Sequence, residues 1–149
     1  MSIRRWQEQD LPQIIALLQE LNEALGEDQE IDDSTVREHY VNMNEQPEIY
    51  ENYVFEDNGT VAGFLSLLFY RTIYHKRGTA LINELIVSKA YRNKKIGEQL
   101  LQYGINAARE RGMDEIEVGV MKDNIGAIRF YKNHGISEEY VLLGLEFDQ

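Results

Sequence analysis

The sequence predicts an α/β protein: one mixed sheet with helices on its faces, a single domain over residues 1–149, in the order β-α-α-β-β-β-α-β-α-β. Three observations carry this. Segments with apolar residues at helical spacing are separated from shorter segments rich in Val, Ile, Leu, Phe and Tyr. Residues 61–70 and 80–87 are nearly all apolar, as strands covered on both faces are. A hairpin signal, Asp57-Asn58-Gly59, sets up an antiparallel meander, and the strand–helix–strand succession behind it needs a crossover, so the sheet is mixed.

Residues 3–6 read as a short strand. Asp10 suits the N-cap of a first helix, with Pro12 tolerated in its first turn, and Ile14, Leu18, Leu21 and Leu25 follow at helical spacing until Gly26 ends it. Residues 27–33 form an acidic loop with five carboxylates. Asp33 or Ser34 caps a second helix through about Asn44. Strands are expected over residues 49–55, 61–70 and 80–87, the last two joined through a polar turn, His75-Lys76-Arg77-Gly78. The helical period returns over residues 95–111, with Ile96, Leu100, Leu101, Gly104, Ala107 and Ala108 on one side. Arg109 and Arg111 suit the negative end of that helix's dipole, and Gly112 suits its C′ position. Residues 115–121 read as a strand, Asp123 or Asn124 caps a helix that stops at Gly135, and residues 139–147 read as one closing strand.

Composition excludes several classes. The chain has no cysteine, so disulfides, thiolate catalysis and Cys-ligated metals are ruled out. No apolar run approaches the roughly 18–20 residues of a membrane helix, and the N-terminal residues lack a signal peptide's apolar stretch, so a cytoplasmic location is expected. A net charge of −11 argues against wholesale nucleic-acid binding. The charge is unevenly placed. Residues 1–60 hold 15 acidic and 3 basic side chains, net −12, whereas residues 61–149 hold 11 and 12, net +1. Lys89, Arg92, Lys94 and Lys95 form a basic run inside that second part. One region can therefore favour a cation and a small patch of the other an anion, although acidic helices also serve simply to solubilise a protein. His39, His75 and His134 lack metal-ligand spacing and read as surface or capping residues; no metal is expected.

Two segments carry chemistry. The first is a buried strand, Leu85-Ile86-Val87, then the basic loop Ser88-Lys89-Ala90-Tyr91-Arg92-Asn93-Lys94-Lys95, then a helix beginning Ile96-Gly97-Glu98. A helix start presents unpaired N–H groups and a positive dipole end, which suit a phosphate or pyrophosphate, and Gly97 lets the backbone approach closely. The second, behind the next strand, is Asn124-Ile125-Gly126-Ala127-Ile128-Arg129-Phe130-Tyr131-Lys132-Asn133-His134-Gly135-Ile136. Together they resemble the GCN5-related N-acetyltransferase family: the first its Arg/Gln-x-x-Gly-x-Gly/Ala pyrophosphate loop, the second its Asn-x-x-Ala-x-x-Phe-Tyr-x-x-x-Gly-Phe segment.

The resemblance implies that family's acyl-CoA N-acyltransferase fold with splayed central strands, acetyl-CoA as co-substrate, and acetyl transfer to an amine. It implies that Arg92, Asn93, Lys94, Lys95, Ile96, Gly97 and Glu98 hold the pyrophosphate and that Leu85, Ile86 and Val87 pair with the pantetheine amides. It further implies that Asn124 bonds the cofactor arm and that Tyr131 is the general acid for the departing thiolate. Lys95 stands where the family usually has its first glycine; its N–H still donates, but its Cβ conflicts with a glycine's backbone angles, and weaker or shifted cofactor binding follows. Ile136 replaces a frequent Phe.

Acetyl transfer needs a neutral amine, so a base must take the ammonium proton. Glu84 is the candidate. Strand alternation places it with Ile82 and Ile86, a carboxylate on an apolar face needs a reason, and burial would raise its pKa. The alternatives are that Glu84 ends at the cleft mouth or pairs with a basic residue, and that Tyr131 only packs. Tyr50, Tyr53, Tyr70 and Tyr74 fit either an acceptor pocket or the core, and Trp6 the core. In the family the first two helices and their connection shape the acceptor site. Here that region contains Glu27, Asp28, Glu30, Asp32 and Asp33, which suits a cationic small-molecule amine or a basic peptide. A protein acceptor and a non-catalytic acyl-CoA-binding module are the rival readings, and a homodimer is compatible with each.

Overall fold

The structure, a computed structural model, describes residues 1–148. The chain runs β1 (Ser2–Arg5), α1 (Leu11–Ala24), α2 (Asp33–Asn44), β2 (Tyr50–Asp57), β3 (Thr60–Tyr70), β4 (Thr79–Val87), α3 (Ile96–Glu110), β5 (Glu115–Val118) and α4 (Ile125–Asn133), with single 3₁₀ turns at Glu8–Asp10 and Lys89–Tyr91. The sheet order is β1-β2-β3-β4-β5. Neighbours are antiparallel except β4 and β5, which are parallel, so the sheet is mixed as expected.

The two faces are covered separately. Leu11, Ile14 and Leu17 of α1 bury against Val54, Phe64 and Ile86. On the other face α3 buries Ile96, Leu100, Leu101, Ala107 and Ala108 against Phe55, Leu65, Leu67, Ala80 and Ile82. The buried face of α3, Gly104 included, is the one its spacing predicted. The hairpin signal also holds: Asp57 pairs with Thr60, and Asn58 and Gly59 take φ of 48° and 85°, the two positive angles of a type I′ turn.

Three local expectations are corrected. Asp10 does not cap α1 through its side chain. Its carboxylate, 2% exposed, accepts from the Gln7 N–H at 2.7 Å and from both guanidinium ends of Arg4 at 2.8 and 2.9 Å, because a carboxylate this deep needs charged partners more than a helix end needs a cap. Asp32, one residue earlier than expected, precedes α2 and accepts from the hydroxyls of Ser34 and Thr35. The closing strand over residues 139–147 is not formed: that segment has no regular structure, and β5 is paired on one side only. A strand needs a ladder partner, and within this chain the segment finds none.

Arg111 does more than complement a dipole. Its guanidinium donates to Glu51 at 2.5 Å and to the carbonyls of Glu48 and Pro47, and lies 4.1 Å over the Phe69 ring, tying the end of α3 to the start of β2. Glu51 also accepts from the Tyr53 hydroxyl, so this buried carboxylate is fully engaged.

The contact between α3 and β3 sets two glycines apart. A Cβ on Gly63 would stand 2.8 Å from Leu100 and 3.1 Å from the Ile86 carbonyl, whereas one on Gly104 would meet Leu65 and Leu67 at 3.4 and 3.5 Å, ordinary contact. Gly63→Ala should therefore lose about 1–3 kcal/mol through overpacking. Gly104→Ala should gain roughly 0.5–1 kcal/mol from helix propensity. Denaturant unfolding of both variants checks the opposite signs.

Candidate active site

The site begins where the parallel pair comes apart. β4 and β5 are in register from Thr79–Glu115 to Ile82–Val118, and there the ladder ends, although β4 runs on to Val87. The cause is local. Against β3, Ser66 pairs with Glu84 and Leu67 with Ile82, so Asn83 is an extra residue, a β-bulge. Past it the β5-facing backbone groups of residues 84–87 have no strand partner among the described residues. A wedge opens between the strands, and β4 ends at the 3₁₀ turn Lys89–Tyr91 and the start of α3.

The bulge also corrects the expected facing. Ile82 and Ile86 lie on opposite faces, Ile82 in the α3 core and Ile86 in the α1 core. Glu84 shares a face with Ile86, on the side of α1 and α2, because one inserted residue inverts the alternation beyond it. Register then lines Glu84 up with Ser66 and Asn52 on that face, both 3% exposed. The Asn52 Oδ1 is buried with no hydrogen-bond partner, while its Nδ2 approaches the Met43 sulfur at 3.6 Å. A polar row thus crosses three strands. Asn52 and Ser66 are not among the residues that the sequence motifs mark; their only signal is polarity inside an otherwise apolar strand, with Glu51 beside Asn52 in the first case.

At the head of α3, Arg92 is extended, and Asn93 and Lys95 take φ of 66° and 61°. Lys95 therefore adopts the left-handed conformation of the glycine it replaces, at a cost of roughly 1–2 kcal/mol. The expected conflict at its Cβ is absorbed as local strain, and the backbone keeps the glycine-like path. The first bond of α3 runs from the Gln99 N–H to the Lys95 carbonyl, which leaves the N–H groups of Ile96, Gly97 and Glu98 free of helical partners. Around them stand the ammonium of Lys94, 5.0 Å over the Tyr91 ring, and Arg92. A Cβ on Gly97 would find Phe130 and Val87 at 3.6 and 3.7 Å, so protein packing alone does not demand glycine there.

The helix α4 closes the other side of the wedge. Asn124 is its N-cap, accepting the Ala127 N–H at 3.2 Å with its side-chain oxygen, which leaves its Nδ2 as a donor. Phe130 stacks edge-on to Tyr131 with centroids 5.2 Å apart, and His134 reaches Glu98 at 3.4 Å, linking α4 to the first turn of α3. Tyr131 is largely buried, and burial together with the negative charge of Glu84 pushes its phenol up to about 12. Burial likewise raises the Glu84 carboxyl above its ordinary range. The two residues singled out in sequence, one on β4 and one on α4, are thus both shifted upward chiefly by burial.

A cavity of about 190 Å³ lies on the α1 side, lined by Leu17, Glu20, Leu21, Ile86, Val87 and Arg92. Glu20 is a residue that sequence reasoning missed: its carboxylate accepts the Lys89 N–H at 2.5 Å, pinning the basic loop to α1. The acidic loop expected to read the acceptor leaves α1 just past this wall, with its backbone held by Asn22. Tyr53 is core, Tyr74 is exposed, and Tyr70 donates to Glu117. No group of three His, Asp or Glu side chains suited to a metal occurs among the described residues, and no helix is long and apolar enough to cross a membrane.

A bulged, parting strand thus delivers free backbone to a helix N-terminus flanked by basic side chains, a site suited to an extended ligand that ends in phosphate. The sequence model of the Acetyltransferase (GNAT) family matches residues 12–136, and the chain belongs to that family. It is 36% identical over 93 residues to an uncharacterised N-acetyltransferase of Methanocaldococcus jannaschii, covering 62% of this chain and 41% of that protein. It is 32% identical over 83 residues to the aminoalkylphosphonate N-acetyltransferase of Salmonella typhimurium, covering 56% and 54%. The matches thus span about half the length of these relatives. Among solved structures, one described as a transcriptional regulator from Bacillus halodurans superposes with a TM-score of 0.86 at 26% identity, covering 98% of this chain and 99% of that one.

The family's acetyl-CoA fits the residues present: free N–H groups and cations at the α3 start match a pyrophosphate, and the unpaired edge of β4 offers amide partners to an extended arm. Two stability effects follow. Folded Glu84 holds its proton to higher pH than the unfolded chain does, so its ionisation destabilises the fold above the ordinary carboxylate range and has no effect below it. Glu84→Gln should raise the melting temperature at about pH 8, with the gain fading toward about pH 4. Lys95→Gly should stabilise by roughly 1 kcal/mol through release of the left-handed strain, read by the same melts.

Proposed function

We propose that this domain transfers an acetyl group from acetyl-CoA to the primary amine of a small cationic acceptor. The observation that carries the reading is the parting of β4 from β5 past Ile82, which leaves free backbone on the strand that leads to the unpaired N–H groups at the α3 start. Bound acetyl-CoA supplies an activated thioester carbonyl. The free N–H groups of Ile96, Gly97 and Glu98, with Arg92, Lys94 and Lys95, orient its pyrophosphate. Residues 85–87 and the Asn124 amide hold its arm along the strand edge.

Glu84 takes the proton of the acceptor's ammonium, which frees a lone pair for attack on the carbonyl. Its raised pKa makes it a better base than an exposed carboxylate. Tyr131 keeps its phenolic proton throughout the neutral range and presents it to the departing sulfur. Ser66, beside Glu84 on the same face, offers the ammonium a second acceptor. The cavity's size and its Glu20 wall support a small amine over a folded protein surface. The Salmonella relative's aminoalkylphosphonate substrate supports a small molecule too, but the net −12 of residues 1–60 favours an acceptor with more positive charge.

Turnover of acetyl-CoA across a panel of amines tests this. Di- and polyamines should exceed an aminoalkylphosphonate in kcat/KM, and added salt should raise the acceptor KM with little change in kcat. Tyr131→Phe should lower kcat by about 10²–10⁴-fold, and Glu84→Gln should remove the low-pH limb of the rate profile. Calorimetric binding of CoA without turnover of any amine would leave the domain a binding module. A Tyr131→Phe enzyme within about twofold of wild type, with chemistry rate-limiting, would remove Tyr131 from the mechanism.

A further inference from the structure

The face of the sheet that carries Glu84 is packed at one end only. Val54, Phe64 and Ile86 lie under α1. On the other side of the row Asn52, Ser66 and Glu84, toward the β3–β4 loop, the same face continues through Tyr50, Leu68, Leu81 and Tyr70. Register places Glu117 beside Leu81, and Glu115 in line with Thr79 and Tyr70. Tyr50, Leu68, Leu81 and Tyr70 are half-buried and belong to neither packed core. The result is a shelf that is apolar in the middle and acidic at two ends.

Glu84 stands at one end. At the other, the Tyr70 hydroxyl donates to one oxygen of Glu117 and leaves the second oxygen free. The Tyr70 phenol is pushed up to about 12, first by that bond, so it stays a donor throughout the neutral range. Glu115 is engaged differently: it accepts from the Thr79 hydroxyl at 3.0 Å and reaches His75 at 3.7 Å. Neither Glu84 nor Glu117 forms an ion pair among the described residues. The Tyr140 phenol, near enough to Glu115 and Glu117 to sense their charge, borders the acidic end.

An observation independent of these carboxylates points to an N–H donor arriving at the same shelf. Asn52 is 3% exposed, its Nδ2 is turned to the Met43 sulfur, and its Oδ1 has no partner. A buried carbonyl oxygen without a donor is costly. Ser66 stands opposite Asn52 in register and next to Glu84. When the Ser66 oxygen accepts an N–H from an ammonium at Glu84, its own proton is free to turn to that oxygen. The head of the shelf is thus completed by a bound amine.

A ligand that fits must be apolar along its middle and cationic at both ends. Glu117 lies one strand across and two residues along from Glu84, about 8 Å in the plane of the sheet at ~4.8 Å between strands and ~3.4 Å per residue. We propose that Glu117, held by Tyr70, is the subsite for a second ammonium of the acceptor, whose carbon chain crosses Leu68 and Leu81 while its reacting amine meets Glu84, a placement that rests on the acetyl-transfer reading above. The acceptor is then a linear di- or polyamine with about five to seven carbons between two nitrogens, at about 1.2 Å per bond. The Tyr70 ring adds a π-face for the same cation.

Matched acceptors test this. With acetyl-CoA, the wild type should favour hexane diamine over hexylamine in kcat/KM by about tenfold, the worth of one charge-assisted contact. Propane diamine, too short to span, should gain no such advantage over propylamine. Glu117→Gln keeps an acceptor for the Tyr70 hydroxyl and removes the charge, so it should abolish the hexane diamine preference, through KM and not kcat. A merely structural role would move both amines together. Calorimetry of the same amines on protein saturated with CoA reads the preference without turnover. A wild type with no diamine preference in either measurement, or a preference that survives Glu117→Gln in full, would overturn the subsite. Binding preference without acetylation of any amine keeps the subsite and removes the transferase reading. Acetylation of both amines with equal efficiency removes the subsite alone.

Discussion

The structure depends on one backbone irregularity, the extra residue at Asn83 in β4. Before it, β4 is an ordinary inner strand, paired to β3 and β5. After it, β4 keeps β3 and loses β5, and the backbone groups of the half-buried residues 84–87 have no strand partner on that side. Buried backbone groups without partners are costly, so such an edge persists only where a ligand or water can complete it. The same inserted residue inverts the facing of Glu84. A regular strand would have driven that carboxylate into the packed α3 core beside Ile82; the bulge delivers it to the face where Ser66 and Asn52 already stand.

Charge is handled in two ways around this wedge. Structural carboxylates are deeply buried and fully paired: Asp10 with Arg4, and Glu51 with Arg111 and Tyr53. Glu84 is treated oppositely. It is largely removed from water and has no cation beside it, which is why its carboxyl shifts upward. A group left in that state weakens the fold at neutral pH, and such positions concentrate where proton transfer is needed. Lys95 is a second local conflict, a left-handed residue with a full side chain where glycine would relax, and it too lies at the site. Strain and unpaired charge thus gather along one line, from β4 to the start of α3.

Family membership and geometry bear on different questions. The family match spans residues 12–136, from α1 through α4, and so takes in both faces of the sheet as well as the wedge and the basic loop. The proposed acceptor side lies on the face of α1 and α2, where Glu20 lines the cavity and Asn52 and Ser66 form the polar row with Glu84.

Periodicity and turn chemistry by themselves determined most of the fold. The helical face of α3 is legible because six residues at 3.6-residue spacing admit one facing, and the turn at Asn58-Gly59 because few residue pairs accept two positive φ angles. The basic loop, Asn124, Glu84 and Tyr131 were legible as residue types in motif spacing. What they face was not. Alternation counts residues one by one and is blind to a bulge, so the side of the sheet that Glu84 occupies was decided by how β4 meets β3. Asp10's carboxylate is taken by Arg4 of β1 and the Gln7 N–H, and Asn52, Ser66 and Glu84 become neighbours only through cross-strand register, which no local pattern encodes. The closing strand is the remaining case. Its sequence has the alternation of a strand, but strand structure is a relation between two segments, and only the tertiary arrangement decides whether a partner edge is within reach.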